Sequence, residues 1–304
     1  MIIITGIRGF VGSNLNTYLC AKQKHILGAS RNPGIGEVHY SEINKTLLDN
    51  VNCFVHLAGK AHDLKKSSED YEYYEANTKL TQKLFNQFLK STCEVFIYMS
   101  SIKAVSDVAH GIITEDVLPN PITSYGKSKL AAEEYILSKK IPENKRVYIL
   151  RPCMIHGPKN KGNLNLLYNF ISIGIPYPLG RYSNKRSFVS VYNLCFIIDE
   201  LIDNPKIYSG IYNIADDISL STTDLIRLIS GVLRKPTRIL KVPKIIIRFI
   251  AKVGDVIPLP INSERLLKLT ENYEVSNLKI KKAIQKELPL TSKEGILKTL
   301  ITFK

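Results

Sequence analysis

The sequence predicts an α/β protein: a doubly wound parallel sheet, with a smaller α/β lobe toward the C-terminus. Three observations predict it. Short apolar runs alternate with helical patterns, the signature of parallel strands covered by helices. The run MIIITGIRGFVGSNL, Met1 to Leu15, sets an apolar strand against a glycine-punctuated turn and a helix start. With 304 residues, 44% of them hydrophobic, the chain can bury a core large enough for such a sheet.

Met1 to Ile4 reads as a buried strand, and Gly6, Gly9 and Gly12 as a turn that opens a helix near Phe10. Gly6 permits the tight turn, Gly9 the close approach of a pyrophosphate, and Gly12 the packing of helix on strand. The N–H groups at Phe10 and Val11 then face an anion. This is a Rossmann dinucleotide grip, although its spacing is G-x-x-G-x-x-G and an ordinary strand-turn-helix corner is the plain alternative. His25 to Ser30 reads as the second strand. Where NAD-binding proteins commonly carry an acid for the ribose hydroxyls, Ser30-Arg31-Asn32 follows. Arg31, with Arg8 from the glycine turn, suits a 2′-phosphate, so NADP(H) is the expected cofactor and NAD(H) stays open.

The next strand, CFVHLAG, ends in Leu57, Ala58 and Gly59, whose backbone can lie against the cofactor. His62 and Asp63 follow, either as a polar loop or with His62 as a sugar contact. Tyr71 to Ser91 has helical periodicity and the length of a crossover helix. Glu94 to Ser101 is the next strand, ending in two hydroxyls at the carboxyl edge of the sheet, where ligands of this architecture bind.

The chemistry is written most clearly in TSYGKSK, Thr123 to Lys129, which opens a helix. Tyr125 and Lys129 are four apart and share a face. A phenol with pKa ~10 must be brought toward neutrality, at ~1.4 kcal/mol per unit, to exchange protons there, and a nearby ammonium favours the phenolate. Lys129 is expected to supply that charge, and Ser101 to hydrogen-bond the same substrate oxygen. Taken alone, Y-x-x-x-K is short enough to be a chance helix-surface pair; the glycine turn and strand-end serines, in this order, argue against chance.

Composition excludes several classes. No apolar run approaches the ~20 residues of a membrane span, and Met1 opens directly into a strand, so a cytoplasmic protein is expected. Five scattered cysteines without a C-x-x-C pair argue for reduced thiols in the core and against a structural metal. The net charge of +15 is spread over lysines from end to end without a nucleic-acid motif. It reads as a solvated surface, part of which draws in an anionic substrate.

The chain resembles the extended short-chain dehydrogenases/reductases, in the nucleotide-sugar epimerase, dehydratase and reductase branch. The resemblance runs through TGIRGFVG, HLAG, Asn77, SSIKA, YGKSK, RPCMIHGP and RSFVSVYNL. It implies that Ser101, Tyr125 and Lys129 are catalytic, that Asn77 supports them and the cofactor, and that Lys129 holds the nicotinamide ribose. It also implies a UDP-sugar site: Asn163 and Arg186 fall where the family contacts diphosphate and uridine, and Lys103 and Arg181 join them. HLAGKAHD, SSIKA, KNKGNLNLL and GIPYPLGRYSNKRSFVSVYNL resemble most the bacterial 4-ketoreductases that finish UDP-linked N-acetyl-6-deoxyhexosamines. Val105-Ser106 and His156 depart from the family's usual residues. Ile102 and Lys103 stand where 4,6-dehydratases carry an Asp-Glu pair, which argues against that reaction.

The second half reads as a substrate lobe, with 161–185 and 206–304 forming it and 186–205 returning to the first domain, 1–160. Leu164 to Gly174 and Ser221 to Arg234 read as helices, the latter capped by Ser221 or Thr222. Within Pro243 to Ile261, the most apolar part of the C-terminal region, a packed amphipathic helix is expected, with a membrane surface as the alternative, and Val256 to Ile261, with two prolines, reads as a connection. The expected activity is NADPH-dependent reduction at carbon 4 of a UDP-linked 4-keto-6-deoxy-N-acetylhexosamine. A NAD-dependent UDP-sugar 4-epimerase is the alternative, and a silent cofactor-binding regulator the competitor from another class. A homodimer is left open.

Overall fold

The computed structural model describes residues 1–60, 69–158, 163–257 and 262–303. The central sheet is built from β1 (Ile2–Thr5), β2 (Ile26–Ser30), β3 (Glu37–His39), β4 (Cys53–His56), β5 (Val95–Met99), β7 (Arg146–Pro152) and β10 (Gly210–Ile214). Its seven strands lie in the order β3-β2-β1-β4-β5-β7-β10, every pair parallel. The order reverses between β1 and β4, and the crevice beyond their carboxyl ends is where this architecture takes ligands. Short pairs of β6 (Ile112–Ile113) with β11 (Glu274–Val275), and of β8 (Met154–His156) with β9 (Phe188–Ser190), lie outside it.

Strand side chains alternate faces, and the core divides accordingly. Ile2, Ile4, Cys53, Val55, Ile97, Tyr148 and Leu150 join one cluster with Leu15 and Leu19 of α1 (Phe10–Ala21). Ile3, Phe54, Phe96, Tyr98 and Ile149 fill the opposite face. On that face α2 (Lys45–Leu48) lies near the edge. There too α3 (Asp70–Tyr73) continues through a π-helical stretch, Tyr74–Lys79, into α4 (Leu80–Lys90). α5 (Ser124–Leu137) completes that layer. The one crossover helix expected over Tyr71 to Ser91 is therefore interrupted by a wider turn, which carries the fully buried Asn77.

A third cluster joins α6 (Asn163–Ser172), α8 (Thr222–Leu233), α9 (Lys244–Gly254), α10 (Ser263–Thr270) and α12 (Ser292–Ile301). α7 (Val191–Asp203) and α11 (Leu278–Ile284) pack instead on the first face of the sheet. Residues 210–214 and 278–284, placed in the lobe by the sequence reading, thus go with the sheet. Ser221 caps α8 in a reciprocal box with Asp224, as its hydroxyl allows. Two other expectations fail. Cys20 is exposed while the other four cysteines are buried. α9 fully buries only Ile247 and Ala251, leaves Val253 half-buried and exposes Ile245, Ile246, Phe249 and Ile250 to water.

A polar chain runs along the floor of the crevice. Thr5 Oγ1 accepts from the Ala58 N–H (3.2 Å) and meets His56 Nδ1 at 2.7 Å; His56 Nε2 meets Thr81 Oγ1 at 2.9 Å; Thr81 donates to the Asn77 carbonyl at 2.6 Å. Every group is satisfied if the Thr5 hydroxyl donates to Nδ1 and a protonated Nε2 donates to Thr81, so the imidazole is neutral. Burial pushes its pKa down to about 3, and the Lys129 ammonium adds to the fall. That folded value lies below the ordinary 6.5, so the stability contributed by neutral His56 is complete above pH 6.5 and is lost as pH falls toward 3. His56→Gln should therefore cost about 1–3 kcal/mol at neutral pH and flatten the acid limb of a stability-versus-pH curve. An acid limb as steep as wild type would remove His56 from this role.

Candidate active site

The glycine turn fits a dinucleotide. Gly6 has φ +68°, and a Cβ there would lie 2.9 Å from the Ala58 nitrogen. A Cβ on Gly12 would lie 2.3 Å from the Gly6 carbonyl oxygen. Gly9 caps α1 without a side-chain hydrogen bond, and the first turn holds no acid, so no side chain occupies the N–H groups at Phe10 and Val11. Gly157 closes over Phe10, its would-be Cβ 3.3 Å from the ring.

At the end of β2 the structure differs from expectation. Glu37, from the next strand, reaches back so that its carboxylate accepts from Ser30 Oγ at 2.8 Å and from the Gly34 N–H at 3.3 Å. Arg8 Nε donates to the same carboxylate at 2.9 Å. An acid is therefore present where the linear sequence has none, and Arg8 is held by it; the Arg8 guanidinium in turn keeps the Glu37 pKa low. Arg31 is exposed beside this group.

Asn77 ties the loop after β4 to α5. Its Oδ1 accepts from the Lys60 N–H (2.8 Å), and its Nδ2 donates to the Lys60 carbonyl (3.1 Å) and to Ser128 Oγ (3.0 Å). A Cβ on Gly59 would meet Asn77 Oδ1 at 2.6 Å and Lys129 Nζ at 3.2 Å, so Leu57-Ala58-Gly59 runs directly past both.

α5 brings the expected catalytic residues together. Thr123 caps the helix by accepting from the Gly126 N–H at 3.2 Å. A Cβ on Gly126 would lie 2.4 Å from the Lys103 carbonyl oxygen, so the first turn presses on the 3₁₀ turn Ile102–Ala104 that Ser101 begins. Burial raises the Tyr125 phenol pKa, the nearby Ser101 side chain opposes the rise, and Tyr73, whose ring centroid is 6.2 Å away, adds to it. The expected lowering by Lys129 is replaced by this balance. The Lys129 ammonium is nine-tenths or more buried, donates to the Met99 carbonyl at 2.8 Å and lies 5.0 Å from the centre of the Tyr98 ring.

Two supports escaped the sequence reading. Glu133, one turn beyond Lys129, is fully buried, accepts from Arg151 Nε at 3.0 Å and Nη2 at 2.5 Å, and takes the Ser100 hydroxyl as well. Its spacing of four from Lys129 and the arginine at the buried carboxyl end of an apolar strand were the available signals. Asp107 accepts from the N–H groups of Ile122 (2.8 Å) and Thr123 (3.0 Å), holding the entry to α5.

The expected substrate contacts are scattered. Lys103 donates to the Asp107 carbonyl at 3.0 Å and stands 4.4 Å from the centre of the Tyr273 ring. Arg181 donates to the Lys241 carbonyl at 3.0 Å, and Arg186 lies 3.7 Å from Glu271. His62 and the side chain of Asn163 lie outside the described residues. His156 sits buried, Nδ1 2.8 Å from Thr299 Oγ1, tied to α12.

Burial brings Lys129 down to about 8 from an ordinary 10.5, with Glu133 opposing the fall. The folded protein thus holds this proton more weakly than the unfolded chain, so the buried ammonium costs stability at neutral pH and the cost fades as pH rises between those values. Lys129→Met should gain on wild type below pH 8, by about 1–3 kcal/mol, and lose that advantage toward pH ~10. Parallel pH profiles of the two proteins would refute the assignment of this charge.

Residues 2–215 match the NAD dependent epimerase/dehydratase family. The chain is 31% identical to the UDP-glucose 4-epimerase of Vibrio cholerae over 318 residues, covering 99% of this chain and 95% of that one. It is 24% identical to the GDP-6-deoxy-D-mannose reductase of Pseudomonas aeruginosa over 262 residues, 80% of this chain and 83% of that one. The structure of UDP-N-acetylglucosamine 4-epimerase from Bacillus cereus shares the fold, with TM-score 0.78 at 20% identity over 99% of this chain and 98% of its own. With a matching family signature over most of its length and a full-length relative above 30% identity, the chain belongs to the NAD dependent epimerase/dehydratase family, the extended short-chain dehydrogenases/reductases of the nucleotide-sugar branch.

Proposed function

We propose that the protein is a UDP-sugar 4-epimerase that works on carbon 4 of a hexose or N-acetylhexosamine with a retained NAD. The observation that carries the reading is the convergence of Ser101, Tyr125 and the buried Lys129 at the carboxyl edge of the sheet, beside Gly59. The bound dinucleotide supplies hydride transfer to and from that carbon. Tyr125 would take the proton of the carbon 4 hydroxyl as a phenolate and return it to the carbonyl oxygen as a phenol; burial raises its pKa and so favours the phenol, and the positive charge of a bound oxidised nicotinamide would favour the phenolate. Ser101 donates to the same oxygen and shares its developing charge. Lys129, fixed on the Met99 carbonyl, is the cation for the nicotinamide ribose, and Asn77 keeps its surroundings in place. Arg186, Arg181, Lys103, Asn163 and His62 are proposed as contacts to the UDP-sugar.

Glu37 supports NAD. A carboxylate on the Ser30 hydroxyl accepts ribose hydroxyls and repels a 2′-phosphate, and Arg8 is paired to it. The Vibrio relative supports epimerisation. A second reading, NADPH-dependent 4-ketoreduction, is favoured by exposed Arg31 and by the Pseudomonas relative. The test supplies UDP-glucose and UDP-N-acetylglucosamine, and separately a UDP-linked 4-keto-6-deoxy sugar with NADPH. Interconversion of the carbon 4 epimers without net cofactor consumption is expected; stoichiometric NADPH loss with the keto sugar, and no epimer, would install the reductase instead. Tyr125→Phe should lower turnover ~100-fold or more with cofactor binding nearly unchanged. Glu37→Ala should weaken NAD about tenfold relative to NADP in a binding titration; an equal effect on both would show that Glu37 does not read the ribose.

A further inference from the structure

The outer face of α9 is apolar and faces water. Ile247 and Ala251, one turn apart, are buried against the lobe, and the residues opposite them are the large ones: Ile245 is 78% exposed and Phe249 68%. The face continues past the helix into Val256, 88% exposed. A helix on a water-soluble surface normally does the reverse, hiding its apolar stripe and presenting charge. Lys244, Arg248 and Lys252 recur every four residues and so line one flank of this face. The helix carries no aspartate or glutamate, and the neighbouring Asp255 is engaged with the N–H (2.9 Å) and hydroxyl (2.6 Å) of Ser263 at the start of α10.

We propose that α9 is an interfacial helix that docks the protein on an anionic lipid bilayer, Ile245, Phe249 and Val256 entering the acyl boundary while Lys244, Arg248 and Lys252 meet the headgroups. Both requirements of such a helix are present, an apolar face and a cationic flank on one element. A second copy of the chain satisfies only one of them, because it would lay this acid-free face against itself and offer no carboxylate from either helix to the cations. Among the described residues no helix is long and apolar enough to cross a membrane, so the contact is peripheral. The chain's charge of +15 favours approach to an anionic surface.

The test is co-sedimentation of the full-length protein with vesicles of phosphatidylcholine plus phosphatidylglycerol, against vesicles of phosphatidylcholine alone. Binding to the anionic vesicles is expected, weakening with added salt. Each basic residue at an anionic surface is worth about fivefold in partition, so Arg248→Glu with Lys252→Glu should reduce it on the order of 100-fold or more. Phe249→Glu should reduce it at least about tenfold with an unchanged thermal midpoint, since the ring is not part of the core. Equal binding by the variants, or no preference for the anionic vesicles, overturns the proposal. So does a dimer in light scattering that Phe249→Glu converts to monomer while vesicles bind neither protein, because the face would then belong to a second copy.

Discussion

The site depends above all on the buried carboxylate of Glu133. Arg151 on β7 grips it through two nitrogens and Ser100, just past β5, donates to it, so one side chain pins α5 to two strands at their carboxyl ends. A buried ion pair of this kind adds little net stability over an apolar replacement, but losing one partner leaves an uncompensated charge at a cost of about 3–5 kcal/mol. Its effect here is to fix the rotation of a helix. Tyr125, Lys129 and Glu133 follow one another at intervals of four and share a face. With Glu133 held, Lys129 is directed at the Met99 carbonyl and Tyr125 at Ser101.

Close backbone approach completes that convergence. Gly126 lets the start of α5 press on the turn after Ser101, and Gly59 lets the loop after β4 run past Asn77 and Lys129; at either place a Cβ would overlap oxygen. The polar chain from Thr5 through His56 and Thr81 to the Asn77 backbone lies beneath them. This chain is hydrogen-bonded from Thr5 to the Asn77 carbonyl, and its fixed dipoles hold the floor of the crevice in one arrangement. Lys129 is the expensive member, a cation held in the interior against the cost of its desolvation.

The excess positive charge is not uniformly solvated. Arg8 is paired with Glu37, so the end of the crevice at β2 holds an ion pair beside Arg31 in place of two cations. Lys103 is drawn toward Asp107 and Tyr273. On α9, by contrast, the cations flank exposed isoleucine and phenylalanine and no acid lies on the helix. The same composition therefore yields a balanced crevice and a one-sided surface.

What the sequence determined by itself was whatever rests on local spacing. Apolar runs separated by helical patterns specify a parallel sheet because strands buried on both faces need no polar alternation. The glycine triplet after β1 marks the tight turn because backbone conformation and helix packing there exclude a side chain. Tyr125 and Lys129 share a face because helix geometry puts residues four apart together, and Ser221 announces the start of α8 through its hydroxyl. Tertiary structure decided the partners that lie far apart in the chain. Glu37 reaches Arg8 across 29 residues and Arg151 reaches Glu133 across 18, and such pairs leave no periodic trace in the linear sequence. The π-helical turn that buries Asn77 was hidden for the same reason, since its hydrogen-bond pattern follows from packing against α5 rather than from propensity. For α9 the sequence established an apolar face but not its direction: amphipathicity fixes which residues lie together, and only the packing of Ile247 and Ala251 into the lobe decides that Ile245, Ile246, Phe249 and Ile250 look outward.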